Sequence, residues 1–391
     1  MPEFSIVIIA RDEAHTLGRA LGSLKPLIER GCEVVLLDTG SSDGTLELAR
    51  AAGCRTWTVG EKFHTSLDEG QADEINQRFM RDGEGPLVES RQRVFNFGAA
   101  RQYVTNLASH DFVLHLDASD VLLSCDVDFF DEQIRSGQVG NFEYQREYAS
   151  SDPHRPAILY RYSRFYDRRQ YHWEGFVHEG IYPNAGVTPL ATVQCSPEKL
   201  LFRHIKDEGK QRSFYPGGLA LNMLNDPEKP RWMHYLGREL YYLNWRQSAI
   251  ALLEQHANMV HAWNAERCES LCLAGECYEG LGEIDAASAC YSRAFWLDSA
   301  RRDPLLRLAE LCQRQGKHQG CVAYAQAALS IPHTSAYFEL ETNYTYRPHH
   351  LLYISLYWLG SKDEARQHWE SCLRYAPDNL RFRLDARWFN P

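Results

Sequence analysis

Phe112-Val113-Leu114-His115-Leu116-Asp117-Ala118-Ser119-Asp120 is the stretch on which the reading of this chain turns. Apolar residues with one His among them carry the chain inward as a buried strand. Two carboxylates and a serine hydroxyl then follow within four positions. In an open α/β sheet, ligands collect outside the carboxyl ends of the strands. Hard oxygen donors at such a place suit a divalent cation carrying phosphates. An ordinary strand followed by an acidic turn has the same local pattern, so the rest of the N-terminal half decides.

Upstream, Phe4–Ala10 is a short apolar run that reads as a buried parallel strand, followed by Arg11-Asp12-Glu13-Ala14-His15. Leu17, Ala20, Leu21, Leu24 and Leu27 then recur at helical spacing. A second strand, Glu33–Leu37, ends in Asp38-Thr39-Gly40-Ser41-Ser42-Asp43-Gly44-Thr45, a loop rich in turn and capping residues. A helix through Leu46 and Ala52 and a third strand at Thr56–Val59 complete a strand–helix–strand–helix–strand start. That order predicts a doubly wound sheet. Residues 61–93 show no period and read as an irregular insertion. Phe97-Gly98-Ala99-Ala100-Arg101 opens the helix that leads to the acidic strand. Asp126–Ile134 reads as a helix, and Phe142–Tyr148 and Ala157–Tyr162 alternate as strands.

From about His204 the texture changes to long amphipathic helices. Gly275, Tyr278, Gly282, Ala287, Tyr291 and Ala294 align with Ala309, Cys312, Gly316, Cys321, Ala325 and Ala328 at a constant offset. The same template fits Tyr353, Leu356, Gly360, Ala365, Trp369 and Pro377, and a weaker copy runs through Leu236, Gly237, Ala249 and Leu253. A period of about 34 residues of this kind resembles the tetratricopeptide repeat. Helix pairs that cannot bury their apolar faces alone are stabilised by stacking.

The 391 residues suffice for two domains with their own cores, and 44% hydrophobic and 12% aromatic content says globular. A net charge of −10 gives no general attraction to nucleic acid or anionic lipid. The start lacks a basic n-region, and no apolar run approaches the roughly 20 residues of a bilayer span. Eleven cysteines, an odd number scattered through apolar segments, read as reduced thiols in a cytoplasmic protein.

Four motifs in order, at Ser5–Glu13, Leu37–Thr45, Phe97–Arg101 and Leu116–Asp120, resemble those of the family 2 glycosyltransferases of GT-A fold. Trp173–Glu179 resembles a His-Glu motif of the branch in which tetratricopeptide repeats follow the catalytic domain. That branch includes peptide S-glycosyltransferases. The resemblance implies an α/β GT-A, Rossmann-like nucleotide-sugar domain at 1–205 and an all-α repeat solenoid at 206–391. It implies an inverting transfer from a UDP-sugar to a macromolecular acceptor, peptide, protein or saccharide. Ala10, Arg11, Glu13, Asp38, Arg101, Asp117 and Ala118 would bind the nucleotide sugar. Glu179 would be the base, with His178 its rival.

Family members usually carry Asp-x-Asp where this chain has Asp117-Ala118-Ser119. Either Asp117 or Asp120 reaches a divalent cation, or Ser119 acts through water, or metal binding is weak. His178 would complete the sphere, and Mn²⁺ accepts imidazole better than Mg²⁺ does. Trp173 reads equally as a platform for sugar or acceptor and as core. The repeats would hold the acceptor or make a homodimer. Two rival readings remain. One is a non-catalytic interaction protein with a degenerate nucleotide-sugar domain. The other is transfer to a modified base in DNA. For that, Arg155, Arg161, Arg164, Arg168 and Arg169, interleaved with Tyr160, Tyr162, Phe165, Tyr166 and Tyr171, would be the strand-binding surface.

Overall fold

The structure, a computed structural model, describes residues 2–148, 158–205, 215–333 and 340–389. The chain divides into two compact units, one of residues 1–78 and 86–226 and one of residues 79–85 and 227–391.

The first unit begins β1 (Phe4–Ala10), α1 (Ala14–Glu29), β2 (Glu33–Asp38), α2 (Thr45–Ala51), β3 (Arg55–Thr58). It goes on through β4 (His64–Ser66), α3 (Glu69–Phe79), β5 (Arg93–Phe95), α4 (Phe97–Leu107) and β6 (Phe112–Asp117). Then come β7 (Asp120–Cys125), α5 (Val127–Arg135), β8 (Val139–Tyr148), β9 (Ile158–Asp167), β10 (Tyr171–Glu174) and β11 (Gly180–Pro183). The last elements are β12 (Ala191–Gln194), β13 (Leu200–His204) and α6 (Tyr215–Asn225). Nine strands form one sheet in the order β3-β2-β1-β6-β9-β8-β13-β7, with β12 also on β8.

The β3-β2-β1-β6 half is parallel, as a doubly wound start requires. Successive strand residues point to opposite faces, and the apolar runs fill both. Ile6, Ile8, Val34, Leu36, Leu114 and Leu116 share one core with Leu17, Leu21 and Leu24 of α1 and Phe130 of α5. Val7, Val35, Leu37 and Val113 share another with Ala100 and Val104 of α4. Helices therefore cover both faces. β9 then joins antiparallel to β6, and β8 antiparallel to β9.

The insertion expected to be irregular is not. Residues 61–93 contain α3 and β4, and β4 pairs with β5, which begins at Arg93. Ala72, Ile75 and Phe79 are buried, so α3 carries a narrow stripe at helical spacing that its many polar residues obscure. Helix α6 belongs to the first unit although its texture resembles the helices after it. Gly217 and Gly218 admit Val88, Val94 and Val177 within about 3.5 Å of where a Cβ would stand.

The second unit pairs α7 (Pro230–Tyr242) with α8 (Arg246–Asn258), then α9 (Asn264–Leu281) with α10 (Ile284–Leu297). α11 (Asp303–Arg314) pairs with α12 (His318–Leu329), and α13 (Tyr346–Trp358) with α14 (Lys362–Tyr375). The repeat template has a physical basis at two positions. Gly282, Gly316 and Gly360 each end the first helix of a pair in the left-handed region, at φ +82°, +71° and +87°. Ala287, Tyr291, Ala309, Ala325, Tyr353, Ala365 and Trp369, template residues all, lie in one buried core. In the second unit the short segment Phe79–Gly85 is held by Glu84. Its carboxylate accepts the Gln247 and Ser248 backbone N–H at 2.9 and 3.2 Å and also the Ser248 hydroxyl. All eleven cysteines are free.

Candidate functional site

Strand register sets the site. Ala10 of β1 lies beside Asp38 of β2, and Ile9 lies beside Asp117 of β6. The carboxyl ends of three adjacent parallel strands thus make one rim. β1 is followed in the chain by β2 on one side and flanked by β6 on the other. The rim therefore stands at a topological switch point, where open α/β sheets take ligands.

Two rim loops are tied together. Asp12 adopts φ +52°, its Oδ1 accepts the Ser42 N–H at 2.7 Å, and its own N–H donates to Ser41 Oγ at 2.9 Å. The Glu13 N–H donates to Thr45 Oγ1 at 2.7 Å, and the Ala14 N–H to Asp43 Oδ2 at 3.0 Å. Glu13 is buried, and its Oε2 accepts the Thr16 hydroxyl at 2.8 Å. Asp38 is buried, with Oδ1 accepting the Ser41 N–H at 3.0 Å. Arg11 reaches Glu61 Oε1 and His64 Nε2 at 3.1 and 3.2 Å. Ala118 is buried in the turn between β6 and β7.

Helix α4 meets β6 at matched intervals. Four residues of helix advance about 6 Å, and two residues of strand about 6.6 Å. Thr105 Oγ1 lies 2.8 Å from His115 Nε2, and Arg101 Nη2 donates to Asp117 Oδ1 at 2.7 Å. Gly98 makes this placement possible. A Cβ there would lie 2.4 Å from the Gly175 carbonyl oxygen. The Gly98 N–H donates to that oxygen at 3.0 Å, which brings the segment ending in Glu179 beside α4.

A compact ionic cluster results. Arg101 Nε donates to Glu179 Oε1 at 2.7 Å. Arg164 donates to Asp117 Oδ1 at 3.0 Å and Glu179 Oε1 at 3.2 Å. Arg146 donates from Nη2 to Asp117 Oδ2 at 2.7 Å and from Nε to Asp120 Oδ1 at 3.2 Å. His204 Nδ1 lies 3.0 Å from Asp120 Oδ1 and 3.3 Å from Ser119 Oγ. Burial alone would raise the Asp117 carboxyl, but Arg164, Arg101 and Arg146 outweigh it and hold the group well below the usual carboxylate range. The Glu179 carboxyl is likewise lifted by burial and pulled lower still by Arg101 and Arg164. Both are ionised at neutral pH.

Arg146 and His204 had no place in the sequence reading. Arg146 has a visible signal: it stands in register with Phe142 and Tyr144, at a position where the alternation calls for an apolar residue. His204 has none. It reaches Asp120 only because β13 runs antiparallel to β7 with those two residues opposite each other.

Trp173 is core. Its indole N–H donates to His115 Nε2 at 3.1 Å, and the Arg101 and Arg164 guanidiniums lie 5.3 and 5.4 Å from the ring centroid. Among the described residues, the strand-binding surface of the DNA alternative does not form. Arg155 lies outside the described residues. Phe165, Tyr166 and Tyr171 are buried, and Arg164 turns into the cluster. Arg161 pairs with Glu143, and Arg168 and Arg169 pair with Asp111.

Among the described residues, Asp117, Asp120 and His204 each bring a ligand atom within 4.8 Å of the others. His178, expected as a ligand, is not in that group. It sits at φ +50° with its ring 5.6 Å from that of Tyr215. The three clustered residues do not fit a divalent cation in this arrangement. Asp117 Oδ1 already accepts from two guanidiniums and Oδ2 from a third. Asp120 Oδ1 accepts from Arg146, and Oδ2 from the Asp117 N–H at 3.0 Å. Every carboxylate oxygen of the pair is therefore engaged.

Residues 5–57, which span β1 to β3, match the family model described as Glycosyl transferase family 2. Residues 269–300 match the model Tetratricopeptide repeat. A TPR repeat-containing protein of Synechococcus elongatus is 29% identical over 123 residues, 32% of this chain. The aligned part is 22% of that relative's own length. Among solved structures, MamA is similar at 16% identity and TM-score 0.35 over 42% of this chain and 89% of its own. A thermophilic TPR protein of Thermus thermophilus is similar at 15% identity and TM-score 0.32, over 44% of this chain and 87% of its own. The chain thus carries a stretch similar to part of glycosyl transferase family 2, followed by a stretch similar to a tetratricopeptide repeat. Among the described residues no helix is long and apolar enough to cross a membrane.

Proposed function

We propose that this chain is an inverting glycosyltransferase of GT-A fold that moves a sugar from a UDP-sugar to a peptide or protein acceptor. The observation that carries the reading is the switch-point rim. Ala10, Asp38 and Asp117 stand there at adjacent strand ends, and the buried cluster brings Glu179 to the same place. The match of residues 5–57 supports the nucleotide-sugar part. The repeat match at residues 269–300 supports a protein acceptor over a saccharide.

In this reading Asp38 keeps Oδ1 on the Ser41 N–H, which fixes the loop, and offers Oδ2 to the uracil imide N–H. Arg11, Ala10 and Glu13 line the base and ribose side, Ala118 the sugar side. The acceptor's nucleophile attacks the anomeric carbon. Its proton passes to Glu179, and the electron pair of the broken C–O bond leaves on UDP. Arg101 and Arg164 both donate to Glu179 Oε1, so Oε2 is the basic atom. Arg101 and Arg164 fix its orientation. The low Glu179 pKa keeps the base ionised across the neutral range, at some cost in basicity.

The test is UDP release from a panel of UDP-sugars with acceptor peptides present. Glu179→Gln keeps shape but takes no proton, so turnover should fall on the order of 10²–10⁴-fold with little change in UDP affinity. A second reading, a tetratricopeptide interaction protein with a degenerate nucleotide-sugar domain, is favoured by Ser119 and by the engagement of both aspartates with guanidiniums. UDP binding with no turnover on any acceptor would select it.

A further inference from the structure

Three guanidiniums meet three carboxylates at the rim. Arg101, Arg146 and Arg164 have side chains 4%, 3% and 12% exposed, and Asp120 and Glu179 are 3% and 8% exposed. Asp117, at 26%, is the open edge of the cluster. The formal charges of these six side chains cancel. An aspartate pair loaded with a divalent cation has the same formal balance. A cation added to this cluster would leave it doubly positive, and the ion would have to share oxygens that all already accept charge-assisted hydrogen bonds.

The guanidiniums keep donors to spare. Each has five N–H groups in a fixed fork that matches phosphate oxygens. Among the described residues, Arg101 Nη1 is buried and has no hydrogen-bond partner. Its side chain is more than nine-tenths buried, and it belongs to a group whose other nitrogens face Asp117 and Glu179. A buried N–H left unpaired is destabilising, so a ligand oxygen that accepts from it is favoured. Aromatic faces stiffen the forks: the Arg146 and Arg164 guanidiniums lie 4.8 and 4.5 Å from the Tyr162 ring centroid.

We propose that Arg101, Arg146 and Arg164 together stand in for a divalent cation beside the diphosphate, so that the nucleotide sugar binds and reacts without metal. This rests on the nucleotide-sugar reading given above. In the transfer, the electron pair of the broken anomeric C–O bond stays on the β-phosphate oxygen of UDP, and guanidinium N–H groups take its charge. Arg164, the most exposed of the three, makes the first contact. Ser119 is then the residue expected where no metal-binding carboxylate is needed.

The experiment uses the full wild-type chain. Mn²⁺ is titrated and followed by electron paramagnetic resonance, and UDP is titrated by calorimetry in EDTA and again in Mn²⁺. The expected result is no stoichiometric Mn²⁺ in the absence of nucleotide, and the same UDP affinity in both buffers. UDP binding tighter in Mn²⁺ by tenfold or more, about 1.4 kcal/mol, overturns the inference and leaves the nucleotide-sugar reading standing. One Mn²⁺ bound per chain, lost in Asp120→Asn, overturns it as well. No UDP binding in either buffer overturns the nucleotide-sugar reading, and the inference with it. Arg164→Met, shown to be folded by circular dichroism, should bind UDP at least tenfold more weakly in EDTA. Unchanged affinity in that folded variant would remove the guanidiniums from the diphosphate site.

Discussion

Replacing Arg146 by Met tests the cluster as physics, apart from any enzymatic role. The Arg146 side chain is 3% exposed, and so is that of Asp120, its main partner. Arg146→Met leaves Asp120 with only the Asp117 N–H and His204, and it removes one of the three guanidiniums on Asp117. Breaking a buried pair from one side costs roughly 3–5 kcal/mol, because the remaining charge stays desolvated. For a unit of about this size each kcal/mol moves the midpoint about 2–4 °C, so thermal melting followed by circular dichroism should fall by roughly 10 °C. Asp120→Asn in the same chain removes the stranded charge and should recover part of that loss, a non-additivity expected of residues in contact. The pH dependence has a definite sign. The folded Asp117 pKa lies below its unfolded value of about 3.9, so the stabilisation is fully present above that value and is lost as pH falls through the folded pKa. A single variant that melts within about 3 °C of wild type would refute the reasoning. So would a double variant whose losses simply add.

Asp38→Asn should leave the fold intact and weaken UDP binding measured by calorimetry, whereas Asp38→Ala should also loosen the Ser41 loop; unchanged UDP affinity in both would remove Asp38 from the base pocket. Gly98→Ala should cost on the order of 3 kcal/mol in a denaturant melt, since its Cβ meets backbone that cannot swing away. Gly275→Ala should cost about 1–3 kcal/mol by the same assay, because Tyr291 Cε1 would lie 2.3 Å from the new methyl. A fragment of residues 1–204 should be insoluble or inactive, since it lacks α6, whose Asn222 accepts the Phe176 N–H at 2.7 Å and donates to the Val177 carbonyl at 3.0 Å. A soluble, active fragment would show that α6 and the repeats are dispensable for transfer.

What was legible in the sequence follows from range. β1, β2 and β6 announce themselves because they are buried on both faces and read as unbroken apolar runs. The repeats announce themselves because a glycine at φ > 0 and a set of small and large core residues recur in three of the four helix pairs. Asp38, Arg101, Asp117 and Glu179 were readable as candidates from motif order, and the structure places Arg101 in contact with both Asp117 and Glu179. Arg146 and His204 were not. They meet Asp120 across 26 and 84 residues, through a mixed half-sheet, β8 parallel to β13 and β13 antiparallel to β7, whose pairing no local pattern specifies. Arg164 was seen but turned the wrong way, because a basic residue among tyrosines looks the same whether it faces solvent or a buried acid. α3 was missed because three buried residues in eleven make a thin apolar stripe.

The segment Phe79–Gly85 has a consequence for the order of events during synthesis. It belongs to the second unit, yet it leaves the ribosome amid the first. Glu84 must wait for Gln247, 163 residues later. At cellular elongation rates of about 5–20 residues per second, that delay is roughly 10–30 s. For that interval a segment that includes Phe79, only 3% exposed in the finished protein, protrudes from a nascent chain whose early strands are already able to pair. The nascent chain therefore passes through a stage in which a holdase has an apolar handle to grip, until the second unit to which Phe79 belongs has emerged.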